Sequence, residues 1–104
     1  MSHFENVSIT KAANTYFEGK VTSRTITLAS GEKKTLGVML PGEYTFNTQA
    51  PEIMEVTAGK VNIKIAGEEA FTLYEQGSSF NVPANSSFDL EVLELFDYVC
   101  TYLG

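Results

Sequence analysis

The chain has 104 residues, of which 43% are hydrophobic, and a formal net charge of −6. This length fits one globular domain, and no apolar run approaches the roughly 20 residues that a membrane-spanning helix needs. The seven Lys and Arg residues are scattered, so we expect no nucleic-acid polymer as a partner, whereas a small anion such as phosphate needs only a few local donors.

Residues 1–13 are predicted to form a loosely structured lead-in with a weak strand around Val7 to Thr10. Residues 14–104 are predicted to form one β domain, because short runs rich in Val, Ile, Thr, Tyr and Phe alternate with Gly or Pro at the spacing typical of a sandwich or barrel. No stretch shows helical periodicity. We predict strands at residues 15–21, 23–29, 34–40, 43–47, 52–57, 60–66, 70–75, 79–82, 86–92 and 96–103.

Side-chain alternation along these strands predicts which residues face the interior. Met54 and Val56 should point inward, and Glu52 shares their face at the end of the strand where the interior opens. The other residues predicted to face inward are Val61, Ile63, Ile65, Phe88, Leu90 and Val92. The last strand is predicted to place Phe96, Tyr98, Cys100 and Tyr102 on one face and Val99 and Leu103 on the other, with both faces covered by the barrel or by a partner subunit.

The chain has one cysteine, Cys100, which excludes an internal disulfide and suits a reducing cytosol. We expect Cys100 to be a small buried apolar residue rather than a catalytic thiol. The N-terminus lacks a basic start followed by an apolar stretch, so it does not resemble a secretory signal. Both features favour a cytoplasmic protein.

Two stretches have Gly and Pro residues at the spacing of the paired cupin motifs: Pro41 to Gly59, and Gly77 to Val92. Metal-binding cupins supply two His and a Glu from the first motif and one His from the second, which together bind Fe, Mn, Ni or Zn. Here residues 45–48 read Thr-Phe-Asn-Thr, the second-motif position is Phe88, and only Glu52 is retained. We therefore expect an all-β, single-domain cupin-like jelly-roll barrel without a metal or other cofactor.

Longer sequence segments indicate a resemblance to one family within the cupins, which runs from about Asn14 to Leu103. They read YFEGKV at 16–21, GVM at 37–39, GEYTF at 42–46, YEQGSSFNVP at 74–83 and YVCTYL at 98–103. In combination they resemble the small bacterial pyrimidine/purine nucleoside phosphorylases. The resemblance implies a metal-independent pentosyltransferase that converts many nucleosides and phosphate into a free base and α-D-ribose 1-phosphate. It also implies a cytoplasmic homodimer.

Phosphorolysis at a glycosidic carbon passes through a sugar with oxocarbenium character, as glycoside hydrolysis does. A carboxylate can stabilise the positive ring or bind its hydroxyl groups. Our first candidate is Glu52, because it faces the predicted cavity, and our second is Glu43, beside the Gly42 turn. The alternative for each is a solvated carboxylate at the surface.

The substrates need further groups, each of which has a structural alternative as a surface charge or a core aromatic. Phosphate requires short polar donors or cations, for which the candidates are Thr45, Asn47, Thr48, Lys20 and Arg24. The base requires an aromatic face or a phenolic donor, for which the candidates are Tyr44, Phe46, Tyr98 and Tyr102. Stacking would tolerate purines and pyrimidines alike, since every base has a π-face.

Two other functions fit a cupin-like sequence. A non-catalytic module that binds a sugar or nucleotide and reports it to a partner would also lack the metal ligands. A metal-dependent isomerase or dioxygenase is disfavoured by Thr45, Asn47 and Phe88. Fold alone does not separate these functions, because one fold hosts many chemistries.

Overall fold

The structure is a computed structural model that describes residues 3–103. Its regular elements are β-strands apart from one 3-10 turn at Phe17–Gly19, which confirms the predicted all-β class. In chain order the strands are β1 (Ser8–Ile9), β2 (Asn14–Tyr16), β3 (Val21–Thr27), β4 (Lys33–Met39), β5 (Gly42–Asn47), β6 (Glu52–Ile65), β7 (Thr72–Glu75), β8 (Ser79–Val82) and β9 (Ser87–Tyr102). Within the described residues, no helix is long and apolar enough to cross a membrane.

Some strand boundaries differ from the prediction, because a glycine lies in a continuous strand or a turn interrupts a predicted one. The predicted strands 52–57 and 60–66 are one strand, β6, because β-bulges between Val56 and Val61 let its pairing with β9 continue past Gly59. The predicted strands 86–92 and 96–103 are likewise one strand, β9. The predicted strand 15–21 is interrupted after Tyr16, where residues 17–19 all have positive φ.

All strand pairs are antiparallel. The sheet order is β1-β3-β4-β9-β6-β7, with β2 beside β3, β5 beside β9 and β8 beside β6. The long strands β6 and β9 pair with each other and with different neighbours at their two ends. Among the described strands the hydrogen-bonded ladder does not close into a ring, so the predicted barrel is an open sheet whose inner faces share one core.

That core confirms the predicted alternation along β6 and β9. The buried cluster includes the predicted inward residues Met54, Val56, Val61, Ile63, Phe88, Leu90 and Val92. It also includes Phe96, Tyr98 and Cys100, which were predicted to share one face of the last strand. Tyr102 differs, because it is 40% exposed at the end of β9. The inner face therefore opens to solvent at the end of the sheet where β6 begins and β9 finishes.

Part of the predicted lead-in extends the sheet as an edge strand. β1 pairs Ser8 with Thr27 and Ile9 with Ile26, at the position of the predicted weak strand. Ile26 lies on the face opposite to the core residue Val21, yet only 1% of it is exposed. β1 therefore lies beside a part of β3 that is well covered on its outer face.

Candidate active site

A cavity of about 200 Å³ lies on the inner face of the sheet at its open end. Its apolar lining includes Met39, Met54 and Phe88, which are core residues. Of the candidates predicted from the sequence, the structure brings together here Glu52, Phe46, Asn47, Tyr98 and Tyr102. Within residues 3–103, the cavity included, no group of three or more His, Cys, Asp or Glu side chains is placed to hold a metal ion.

Glu52 is the first residue of β6 and shares the inner face with Met54. Cross-strand pairing places Tyr102 opposite Glu52 and Cys100 opposite Met54. The Cys100 thiol donates a hydrogen bond of 3.5 Å to Glu52 Oε1. Burial raises the pKa of Glu52 above 4.5, and the thiol hydrogen bond opposes that rise only in part. The cavity therefore holds a partly desolvated carboxyl group.

The raised pKa of Glu52 predicts how stability depends on pH. A carboxyl group whose pKa is higher in the folded chain stabilises the fold below its unfolded pKa, and this contribution is lost as pH rises through the folded pKa. With an unfolded value of 4.5, the Tm of the wild type should fall relative to that of Glu52→Gln as pH rises from about 4 to 8. Calorimetry of both proteins at several pH values measures the difference, and a difference that stays constant with pH would contradict the prediction.

The phenols of Tyr98 and Tyr102 and the thiol of Cys100 keep their protons at neutral pH. Burial raises the pKa of Tyr102 to about 12 and that of Cys100 to about 12. Burial, with help from neighbouring charges, also raises the pKa of Tyr98. Both phenols can therefore donate hydrogen bonds, whereas Cys100 lacks the thiolate that a nucleophile needs.

Tyr98 is held in place by its cross-strand partner, Gly37. A Cβ atom at residue 37 would overlap the ring of Tyr98, so only glycine leaves room for the ring there. Tyr98 is 6% exposed and packs against Phe96 at 5.1 Å between ring centroids. This packing fixes the position of the tyrosine in the cavity wall.

A second wall of the cavity is aromatic. The ring of Phe46 lies 6.1 Å from that of Phe88 at an interplanar angle of 29°. Tyr16 meets the edge of Phe46 at 5.6 Å and is 45% exposed. Tyr16 was not among the predicted site residues, since it lies in a segment whose turn at residues 17–19 the sequence pattern did not reveal.

Three predicted residues on β5 lie outside the cavity. Glu43 and Thr45 are exposed on the outer face of the strand, and the Thr45 hydroxyl donates to Asp89 Oδ1 at 2.7 Å. Tyr44 points inward but is a core residue, and its hydroxyl donates to the Leu40 carbonyl at 2.7 Å. The mouth of the cavity is at the other end of this strand, where Asn47 lies.

The remaining predicted residues, Thr48, Lys20 and Arg24, do not line the cavity either. Thr48 is buried, and its hydroxyl donates to the Pro83 carbonyl at 2.7 Å, which anchors a loop. Lys20 is exposed at the end of the 3-10 turn. Arg24 lies on the outer face of β3 and donates to the Lys11 carbonyl at 3.2 Å. Because Arg24 was predicted only from its position in the sequence, its outward orientation could not be foreseen.

Two hydroxyl groups in the cavity wall were not predicted. Ser23 on β3 is 5% exposed, and Thr35 on β4 is 7% exposed. Both line the cavity, and both occupy inward positions, since Val21 and Met39 on the same faces are core residues. The signal that could have found them is a polar residue at an inward position of a strand.

Comparisons with known proteins agree with this architecture. A sequence model of the family described as pyrimidine/purine nucleoside phosphorylase matches residues 11–102. A protein of that name from Clostridioides difficile is 56% identical over 104 residues, which cover 100% of this chain and 99% of that protein.

Solved structures extend the comparison. A protein of unknown function from Acinetobacter has a TM-score of 0.95 and 43% identity to this chain, with coverage of 97% of this chain and 98% of that one. An RmlC-like cupin from Shewanella frigidimarina has a TM-score of 0.68 at 16% identity, with coverage of 98% and 90%. The second similarity confirms the predicted cupin-like fold.

Proposed function

Because this chain belongs to the pyrimidine/purine nucleoside phosphorylase family, we propose that the cavity around Glu52 is where a nucleoside reacts with inorganic phosphate. The bond between C1′ of the ribose and the base nitrogen breaks, and a bond between C1′ and a phosphate oxygen forms. The products are the free base, which takes up a proton, and α-D-ribose 1-phosphate. The observation that carries this assignment is one carboxyl group in a cavity lined by aromatic rings and hydroxyl groups.

Glu52 is proposed to act on the ribose. As C1′ loses the base, positive charge develops on the ring, and a nearby carboxylate stabilises that charge more strongly in a partly desolvated site than in water. The carboxylate can also accept hydrogen bonds from the ribose hydroxyl groups. The hydrogen bond from Cys100 to Oε1 orients the carboxyl group for either task.

The aromatic wall is proposed to receive the base. Phe46 and Tyr16 offer ring surfaces at the cavity, and stacking on such surfaces accepts every base. Tyr98 keeps its phenolic proton, so it can donate a hydrogen bond to the departing base as negative charge gathers on it. This chemistry accounts for turnover of both purine and pyrimidine nucleosides.

The size of the cavity limits what it encloses. Ligand pockets commonly measure about 300–1,000 Å³, and this one measures about 200 Å³. The ribose and its reacting bond fit inside, while the outer part of the base lies at the mouth beside Asn47 and Tyr16, which is 45% exposed. A base that is only partly enclosed makes few hydrogen bonds through its edges, so the site distinguishes poorly between bases. This also favours broad specificity.

The test is to incubate the protein, treated with a chelator to remove metals, with uridine or adenosine and to follow the free base. We expect release that requires phosphate and is equal with and without the chelator, together with formation of ribose 1-phosphate. The alternative, a non-catalytic binding module, predicts no release from any common nucleoside. It is not favoured, because the relatives are named as enzymes. Activity lost with the chelator and restored by iron or manganese would contradict the proposal.

We also propose that the enzyme is a cytoplasmic homodimer. A free thiol at Cys100 suits a reducing compartment. On β9, Leu93 is 52% exposed and Leu95 is 45% exposed, and exposed apolar residues close together favour association. Sedimentation velocity at several protein concentrations tests the dimer, and a monomer at all concentrations would contradict it.

A further inference from the structure

The cavity continues into a second, more open groove. The groove measures about 650 Å³, and it shares Tyr16, Thr35 and Tyr102 with the cavity. We infer that inorganic phosphate is bound where the two meet, by the hydroxyl groups of Ser23, Thr25 and Thr35, with Lys33 as its cation. These three hydroxyl residues are called the hydroxyl wall below. The inference rests on the proposed function and names the phosphate subsite within it.

Strand register places these groups side by side. Thr25 pairs directly with Thr35 across β3 and β4, and directly opposed side chains have Cβ atoms about 4.5–5.5 Å apart. Ser23 precedes Thr25 by two residues, and Lys33 precedes Thr35 by two. Because alternate residues of a strand share a face, Lys33 lies on the inner face at the mouth, whereas Lys34 lies on the outer face.

The hydroxyl wall has hydrogens left to donate. Asn14 Nδ2 donates to Ser23 Oγ at 3.2 Å and to Thr25 Oγ1 at 3.4 Å. Each hydroxyl oxygen is therefore used as an acceptor, which leaves its hydrogen free for an anion. Thr35 Oγ1 and Tyr102 OH lie 3.3 Å apart. When the Tyr102 hydroxyl is the donor in this hydrogen bond, the Thr35 hydrogen is available to a phosphate oxygen.

Lys33 supplies a positive charge at this end of the site. Glu32 and Lys33 both line the groove, and among the described ion pairs the Glu32 carboxylate is paired with Lys34 Nζ at 3.7 Å, which leaves Lys33 for the anion. A lysine ammonium close to neutral donors binds phosphate even in a chain whose net charge is −6. Neither Lys20 nor Arg24 lines the cavity or the groove.

The strand order leaves room for the sugar between the hydroxyl wall and Glu52. β9 lies between β4 and β6 in the sheet, so the backbones at Lys33 and Glu52 are two strand spacings apart, about 10 Å. The phosphate and Glu52 are therefore bound to strands that are not neighbours. The ribose then lies between the phosphate and Glu52, with C1′ accessible to a phosphate oxygen.

The test combines phosphate binding with kinetics on the full chain. Inorganic phosphate is titrated calorimetrically into the wild type, Lys33→Met and Thr35→Val, and the KM values for phosphate and uridine are measured for each. We expect each variant to weaken phosphate binding and raise the phosphate KM by about tenfold or more, as for a lost hydrogen bond to a charged group. The uridine KM should change by less than about twofold.

The matched control is Lys60→Met, since Lys60 is an exposed lysine on β6 that pairs with Glu94 at 3.6 Å and lines neither the cavity nor the groove. It should leave both KM values unchanged. If Lys33→Met and Thr35→Val leave phosphate binding intact, or raise the uridine KM instead, the subsite assignment is wrong. If Thr35→Val fails to fold, the exposed Lys33 still decides the outcome. A wild type that binds phosphate but releases no base would instead overturn the proposed reaction, and the titration would still test the subsite.

Discussion

Replacing Glu52 by Gln is expected to lower kcat by about 10²–10³-fold, the loss typical of removing one group that stabilises charge in the transition state. Gln keeps the size and the hydrogen-bonding oxygen of Glu but cannot carry the negative charge that opposes the developing positive ring. The fold should remain intact, because a partly desolvated carboxyl group is replaced by a neutral amide. Steady-state kinetics with uridine at saturating phosphate measures the effect.

The matched control for this substitution is Glu55→Gln on the same strand. Glu55 is exposed and lies on the outer face of β6, three residues beyond Glu52. The same loss of one negative charge there should leave kcat within about twofold of the wild type, as for a surface substitution away from the site. Equal effects of the two substitutions would show that Glu52 is only a carboxylate at the rim of the cavity.

Replacing Gly59 by Ala is expected to destabilise the fold by about 3 kcal/mol or more, the sum of a strained backbone and an overpacked contact. Gly59 has φ of +94°, in the left-handed region that side chains rarely adopt. A Cβ atom at this position would also overlap the backbone carbonyl of Leu95 on β9. The two long strands cannot separate easily there, since they pair on both sides of the bulge.

Gly67→Ala separates the two causes. Gly67 has a similar φ of +93°, but a Cβ atom there would have nothing within 4 Å. The Gly67→Ala substitution should lower the free energy of unfolding by about 1 kcal/mol, because only the backbone conformation is strained. Denaturant unfolding of the wild type and both variants measures the difference, and equal losses would show that the β6–β9 bulge relaxes around the added methyl group.

The sequence predicted the inner faces of the long strands well, because alternation is a local property of the chain. Met54, Val56 and Cys100 are buried as expected, and Glu52 lines the cavity. The same local signal misplaced the strand ends near Gly59, where the residue permits a bulge rather than a turn. A glycine alone does not distinguish these two structures.

The polar side of the cavity could not be assembled from the sequence, because it depends on the pairing register of separate strands. Proximity in the chain favours Lys20 and Arg24 as cations, yet Arg24 faces outward. Lys33 reaches the mouth only because β4 pairs with β3 and β9 in this register. Thr35 is brought beside Thr25 and Tyr102 in the same way.

The most direct test of the site is a crystal structure of Glu52→Gln, which should be slow enough to trap substrates, with uridine and inorganic phosphate bound. We predict the ribose beside residue 52, the base against Phe46 and Tyr16, and the phosphate on the hydroxyl wall near Lys33. Substrates bound on the outer face of the sheet, or a cavity that stays empty while the protein turns over nucleosides, would contradict the assignment of this cavity as the active site.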